Sequence, residues 1–443
     1  MSLPQLAEFS FNLNDDAYVP PVPQTIEQTG VPASVVEQII VKILYFQGET
    51  VGRELARSVG LKFSVIDAVL EFLKRTRQVE VKRSSGYGNV SAVFALSEAG
   101  RSRAREYQEI NQYSGRTPVP ISQYVQAVRA QRPRQDWVSK DALALAFQHM
   151  VVTDLMLVKM GPAVNAGKSL LIYGQPGNGK TYMSEALNNL EGSSVYVPYA
   201  IEAQGMIIQM FDPIHHRPAE SDEDSTSSLS DDPLYDARWV RCRRPFIVTG
   251  GELTLDMLDL SFNPTAKVYD APFQLKANNG IYLIDDFGRQ QVSPAALLNR
   301  WIIPMDRHVD YLTFHTGGKV EVPFEAFLIF STNLDPQSLG DEAFLRRIQY
   351  KMFLKNPSEE EFVEIFERYC LAENLFCSRS LIDNFVEKHY RQTGKKFRRC
   401  HPRDVVGHAQ DLMRFERLPE ELTEDLLDRG FESCFLEQAE IAE

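Results

Sequence analysis

The run Gly174-Gln175-Pro176-Gly177-Asn178-Gly179-Lys180-Thr181 constrains the fold of this 443-residue chain more than any other feature. It matches G-x-x-x-x-G-K-[ST] in full. Its context matters as much as the match. The apolar run Ser169-Leu170-Leu171-Ile172-Tyr173 before it reads as a buried strand, and residues 181–190 after it read as a helix. Glycines let successive backbone N–H groups turn inward, and the helix N-terminus adds positive field at the same point. Strand, glycine turn and helix in this order predict a cradle for nucleotide phosphates. Lys180 would reach the β- and γ-phosphates of ATP, and the Thr181 hydroxyl would ligate Mg²⁺. Gly174, Gln175, Pro176, Gly177, Asn178, Gly179, Lys180 and Thr181 are therefore the expected nucleotide-binding residues.

A phosphate loop needs an acidic partner on a neighbouring strand. Ile281-Tyr282-Leu283-Ile284 is an apolar run ending in Asp285-Asp286, and it resembles a Walker B motif. Asp285 is expected to hold Mg²⁺ with Thr181, and Asp286 to polarise the attacking water. Further on, Ala326-Phe327-Leu328-Ile329-Phe330-Ser331-Thr332-Asn333 reads as a buried strand ending in Thr-Asn. Asp341-Glu342-Ala343-Phe344-Leu345-Arg346-Arg347-Ile348 follows, and His401-Pro402-Arg403-Asp404 opens a late helix.

In this order the elements resemble those of AAA+ ATPases over about residues 140–415. The resemblance implies that Asn333 is a sensor 1 residue positioning the water. It implies that Arg346 or Arg347 is an arginine finger reaching a neighbouring subunit's γ-phosphate, and that Arg403 is a sensor 2 arginine. It also implies a homo-oligomeric ring, expected as a hexamer, that hydrolyses ATP to remodel a protein or nucleoprotein partner. Two departures stand out. The family usually carries Glu where this chain has Asp286, one methylene shorter, so hydrolysis is expected to be slow or regulated; a misplacement near 1 Å costs about 100-fold in rate. The lead-in Lys276-Ala277-Asn278-Asn279-Gly280 has Asn279 where the first of two paired glycines would stand. Residues 250–275 resemble a helix-2 insertion, and the hairpin predicted around His315-Thr316-Gly317-Gly318 fits a central pore that grips substrate. A G-A-F-T-G-A loop is absent from the sequence, which argues against a transcription regulator of this type.

The expected architecture is α/β: a parallel-sheet nucleotide-binding core at 137–357 and a helical lid and tail at 358–443, preceded by a small α+β module. Residues 1–30, rich in Pro, Gln and Asn, read as a poorly ordered lead-in. Residues 31–110 resemble a winged-helix domain, with Thr50 and Ser64 as helix caps and strands around Ser84-Ser85-Gly86-Tyr87-Gly88-Asn89. Residues 111–136 read as a linker carrying one short helix, and the acidic, Ser-rich run 219–232 as a disordered loop.

The net charge of -13 argues against a generic nucleic-acid coat. It divides unevenly, with about +7 over residues 33–135 and about -20 elsewhere. Lys62, Lys74, Arg75, Arg77, Lys82 and Arg83 of the front module are candidates for DNA phosphates, but Asp67, Glu71 and Glu80 lie among them, so protein docking is the other expectation. The five scattered cysteines show no metal spacing and suit a reducing cytosol. The N-terminus lacks the pattern of a signal peptide, and no apolar stretch approaches the ~18 residues needed to cross a bilayer. A cytoplasmic, non-membrane protein is expected. His215-His216 lacks further ligands at useful spacing and reads as an exposed pair. A second functional reading remains: an ATP-gated assembly switch with slow hydrolysis, whose front module docks to DNA or protein.

Overall fold

The computed structural model describes residues 18–84, 88–133, 136–190, 194–219, 234–339 and 345–435. Five short strands build its central sheet. Their order is Phe246–Thr249, Ile281–Ile284, Phe327–Thr332, Leu170–Tyr173 and Tyr350–Phe353, and every neighbouring pair is parallel. Apolar runs with no polar alternation are what a sheet covered on both faces requires. Successive side chains of each strand point to opposite faces. Leu170, Ile172, Leu283, Ile329 and Met352 enter one core, with Leu143, Leu157 and Met160 from the helices Lys140–Ala146 and Asp154–Ala166. Leu171, Tyr282, Ile284, Leu328 and Phe330 enter the other, against Leu297, Leu298 and Trp301 of the helix Pro294–Arg307.

A second sheet of five short strands lies beside the first, in the order Ser261–Asn263, Val268–Asp270, Met206–Gln209, Ala200–Ala203 and Val119–Pro120. Its pairings mix parallel and antiparallel. It shares a core with the helix Ile121–Ala130 and with the hairpin formed by Val309–Thr313 and Lys319–Pro323. The segment expected to be a linker therefore supplies an edge strand and a packed helix that buries Tyr124, Ala127 and Val128. Pro120, at the strand's end on the sheet edge, sits where a missing N–H is tolerated. The segment compared with an insertion supplies two more of the strands.

Residues 18–30 also depart from the expected poorly ordered lead-in. Thr25 caps the short helix Ile26–Thr29, Thr29 is buried, and Asp236 N donates to Pro20 O at 3.1 Å. The buried guanidinium of Arg238 donates to Thr29 O at 2.8 Å and pairs with Asp236 at 2.8 Å. Local composition signals disorder; a distant buried cation supplies the partner that overrides it. Residues 1–17 lie outside the described residues, as do residues 220–232 of the acidic run, 340–344 and 436–443.

The front module has three helices, Ala33–Gln47, Gly52–Val59 and Phe63–Arg75, and an antiparallel sheet in the order Thr50–Val51, Ala92–Leu96, Val79–Ser84. The helix Glu98–Ile110 follows, capped by Ser97. Neither expected cap is one. Thr50 is a strand residue pairing Phe94, and the third helix begins at Phe63, after Lys62. Both helix starts are set by the chain leaving an extended segment, so no side-chain cap is made there.

The helices Glu359–Ala372, Arg379–Val386, His401–Glu416 and Glu424–Cys434 pack at the C-terminal end. Phe362, Phe366, Ile382, Phe385, Val405 and Phe431 form their core.

Candidate active site

The loop 174–179 leaves the strand Leu170–Tyr173 and enters the helix Lys180–Ala186. Gly174, Gly177 and Gly179 take φ of 151°, 79° and 80°, values that an L side chain adopts only under strain. At two of them space is also lacking. A Cβ on Gly174 would fall 2.4 Å from Leu354 O, and one on Gly177 2.6 Å from Cys400 Sγ. At Gly179 nothing lies within 4 Å of that position, so there only the φ constrains the residue type.

Three strands end together here, and the polar groups at their ends form two connected contacts. Lys180 Nζ donates to Gly174 O at 3.0 Å, Gln175 O at 3.1 Å and Asn333 Oδ1 at 2.5 Å. Asn333 Nδ2 then donates to Asp286 Oδ1 at 2.8 Å. Thr181 Oγ1 donates to Asp285 Oδ2 at 2.7 Å. The strand Phe327–Thr332 lies between the strand leading to the loop and the strand leading to the two aspartates. That interposition puts Asn333 where it can touch both Lys180 and Asp286. Burial lowers the Lys180 ammonium below its usual range, opposed by Asp285 and Asp286, while Arg398 pushes the same way as burial.

Asp286 has φ of 46°. A left-handed conformation is uncommon for a non-glycine, although Asp tolerates it better than most. Gln290, which sequence reasoning missed, braces this turn: its Nε2 donates to Asp285 O at 3.0 Å and Asp286 O at 3.3 Å, and its Oε1 accepts from Gly288 N at 2.8 Å.

The residues present fit a triphosphate and Mg²⁺. Asn178 is buried and its Oδ1 lacks a partner, while its Nδ2 donates to Asn356 Oδ1 at 2.8 Å. An unpaired buried polar atom is expected where a bound group completes the site. A hydroxyl beside a carboxylate, Thr181 with Asp285, is the hard-oxygen donor set that suits Mg²⁺.

The expected arginines make other contacts. Arg403 Nε and Nη2 bond Asp404 Oδ1 at 2.9 and 2.8 Å, and its side chain is 66% exposed. The cation that does reach the loop is Arg398, whose Nη1 donates to Pro176 O at 2.6 Å; Cys400 N donates to Gly177 O at 2.9 Å. Residues 398–400 form the turn before His401–Glu416, so the arginine that bonds the loop precedes the helix opening His401-Pro402-Arg403-Asp404. Arg346 is exposed, and Arg347 Nε donates to Asp306 Oδ2 at 3.2 Å. Both precede the strand Tyr350–Phe353, whose Tyr350 pairs Leu170. They sit at the end of the sheet away from the loop, about 13 Å off at ~3.3 Å per strand residue.

His216 corrects the expected exposed pair. It is buried, its Nδ1 accepts from Asp212 N at 3.0 Å and its Nε2 meets Lys276 O at 2.9 Å. Burial lowers it to about 4, so the ring is neutral and structural. Among the described residues, no group of three His, Cys, Asp or Glu side chains is arranged to hold a metal. No helix among them is long and apolar enough to cross a membrane.

Residues 358–433 match the model of a family described as a domain of unknown function, DUF8689. No curated protein matches the chain. Among solved structures, NtrX from Brucella abortus is similar at 13% identity and a TM-score of 0.39, over 66% of this chain and 57% of that one. The chain thus spans little more than half of that protein's length. A proline-to-glycine mutant of RuvB from Thermotoga maritima is similar at 13% identity and a TM-score of 0.34, over 68% of this chain and 73% of that one. These are partial likenesses, and the chemistry rests on the site's own geometry.

Proposed function

We propose that the chain binds ATP with Mg²⁺ in the loop 174–181 and hydrolyses it, as an AAA+ type ATPase working in a homo-oligomeric ring. The observation that carries the reading is the contact chain Lys180–Asn333–Asp286 beside Thr181–Asp285, assembled from three separate strand ends. A chance glycine turn before a helix has no reason to collect these partners.

Mg²⁺ bound by Thr181 and Asp285 would supply charge neutralisation between the phosphates. The protein's own residues divide the remaining work. Backbone N–H groups of the loop and Lys180 hold the phosphates. Asp286 accepts a proton from water, and Asn333 orients that water beside it. Arg346 and Arg347, remote from their own chain's loop, would serve a neighbouring subunit's γ-phosphate in a ring, which we take to be a hexamer. The C-terminal helices act as a lid through Arg398, in the role first expected of Arg403.

The front module, winged-helix in type, is read as a protein-docking unit in preference to a DNA-binding one. Lys74 pairs with Glu71 at 2.7 Å, Lys82 with Glu80 at 2.8 Å and Arg83 with Glu49 at 3.8 Å. Cations neutralised by their own neighbours release few counterions on a phosphate backbone. The substrate is then a protein partner, gripped by the hairpin 309–323 if that hairpin lines a pore. The second reading, a nucleotide-gated assembly switch, is favoured by Asp286 in place of Glu.

The test is turnover and calorimetric binding of ATP with Mg²⁺. Lys180→Ala should abolish binding, and Asp286→Ala should keep binding while turnover falls on the order of 100-fold or more. Both variants hydrolysing like the parent would end the enzyme reading. Partner-independent turnover slower than assembly would favour the switch.

A further inference from the structure

We infer that Gln290 is a positioning residue for the carboxylate of Asp286, acting through the main chain of the turn that carries it; this rests on the ATPase reading above. The strand Ile281–Ile284 ends just before the two aspartates, and Asp285 N still bonds Thr249 O at 2.8 Å. Beyond that point the sheet offers the carbonyls of Asp285 and Asp286 no ladder partner. Gln290 takes both, reaches Gly250 O at 3.4 Å, and accepts from Gly288 N. One side-chain amide, on a residue only 9% exposed, thus engages four main-chain groups of two adjacent strand exits.

The other side of the turn is equally fixed. Phe287 is buried, its N donates to Ser331 O at 2.7 Å, and its O accepts from Thr332 Oγ1 at 2.7 Å. Gly288 has φ of 99°, and a Cβ there would fall 2.7 Å from Leu334 Cδ1. Asp286 lies between these anchors, in a left-handed conformation that aims its carboxylate at Asn333. Without the amide donors of Gln290, Asp285 O loses its 3.0 Å partner and Asp286 O keeps only the turn bond from Arg289 N at 3.0 Å, so the turn is no longer tied at both carbonyls and Asp286 relaxes toward negative φ. The short side chain of Asp286 cannot compensate from a relaxed backbone, whereas a longer Glu would have rotamers to spare. Gln290 is the counterpart of the Glu-to-Asp change.

The experiment is a double-mutant cycle on ATP turnover with Mg²⁺, using the full chain as parent, Q290M, D286A and the pair, with Mg²⁺–ADP titrated calorimetrically into each. Methionine keeps the length of glutamine and donates no hydrogen bond. Q290M is expected to lower kcat about 10- to 100-fold, with KM and ADP affinity within about twofold of the parent. In the D286A background Q290M should add no further loss, because nothing remains to be positioned. A parental kcat in Q290M overturns the inference, as does an equal second loss in D286A or a loss of ADP affinity matching the loss of kcat. Should Q290M bind no ADP, Q290E, equally long and without a donor when ionised, carries the same test, and a parental kcat there overturns the inference equally. A parent that binds ADP but hydrolyses no ATP removes the ATPase reading, and this inference with it; a hydrolysing parent with a silent Q290M removes the inference alone.

Discussion

The strand Ile281–Ile284 has a polar doublet at each end, Asn278-Asn279 before it and Asp285-Asp286 after it. The two use the same backbone device. In each doublet the second residue is left-handed, with φ of 61° at Asn279 and 46° at Asp286, and both are of the types that tolerate it. The surroundings differ. Asn278 and Asn279 are buried and bonded into the protein itself: Asn278 Nδ2 donates to Tyr124 Oη at 2.8 Å and Pro323 O at 3.0 Å, its Oδ1 accepts from Glu325 N, and Asn279 Nδ2 donates to Val128 O. The aspartates are not buried, and their carboxylates meet Thr181 and Asn333, residues of the phosphate loop and of the neighbouring strand's exit. One doublet closes a structure and the other opens a site.

That contrast predicts opposite phenotypes at the two ends. Asn278→Ala leaves Glu325 N and Pro323 O without side-chain partners inside the protein, at about 1–3 kcal/mol for each stranded group. Chemical denaturation should show a loss of about 3 kcal/mol, with ATP affinity in the folded fraction unchanged. Asp285→Asn should do the reverse, with unaltered stability and Mg²⁺-dependent nucleotide affinity reduced on the order of 10- to 100-fold. If Asp285→Asn destabilised the fold as much as Asn278→Ala, the division between closed and open ends would be wrong.

His216 sharpens the comparison from the entry side, since its ring meets Lys276 O just ahead of Asn278. Burial, aided by Lys276 and His215 and opposed by the carbonyl of Lys276 and by Asp212, holds it at about 4, below its ordinary 6.5. The folded state therefore binds this proton more weakly than the unfolded chain does. Stability is fully present above pH 6.5 and falls as pH drops toward 4, by on the order of 2 to 3 kcal/mol. His401 is lowered to about 4 as well, so the comparison is with His216→Gln. Its denaturation midpoint should change less between pH 6.5 and 4 than the parent's. Equal slopes would show that His216 is not the buried neutral ring described above.

What the sequence displays and what it conceals follow the same physical line. Three of the five central strands, Leu170–Tyr173, Ile281–Ile284 and Phe327–Thr332, are legible because each is an apolar run and the glycine loop punctuates the first of them, whereas Tyr350–Phe353 at the sheet edge carries Lys351 and does not stand out. Asp285, Asp286 and Asn333 are legible because strand ends announce themselves. The second sheet is not, because its strands of two to four residues come from segments as distant as Val119–Pro120 and Val268–Asp270. No periodicity develops in four residues, and pairing across such separations is tertiary. His216 is concealed for a related reason: its burial depends on Lys276, sixty positions on. Gln290 is concealed because its partners are main-chain groups, which carry no residue identity.

Arg398 and Arg403 test how far a pattern at a helix start can be pushed. Both belong to the segment matched by DUF8689, and only five positions separate them. Arg403 lies inside the helix His401–Glu416 with its guanidinium turned to Asp404; Arg398 lies in the preceding turn and donates to Pro176 O. Arg398 already rests on the glycine loop, whereas Arg403 must first give up its carboxylate to reach it. Arg398→Ala should therefore weaken ATP binding about tenfold, or about 1.4 kcal/mol, and leave ADP binding close to the parent's. Arg403→Ala should leave both within about twofold, as expected for an exposed pair. If Arg398 served only to pack the turn against Pro176, ATP and ADP affinities would fall together, because both nucleotides occupy the same loop. If Arg403→Ala alone discriminated ATP from ADP, the helix would have to rotate on binding, and the first-turn arginine would regain the role that its place in the sequence implies.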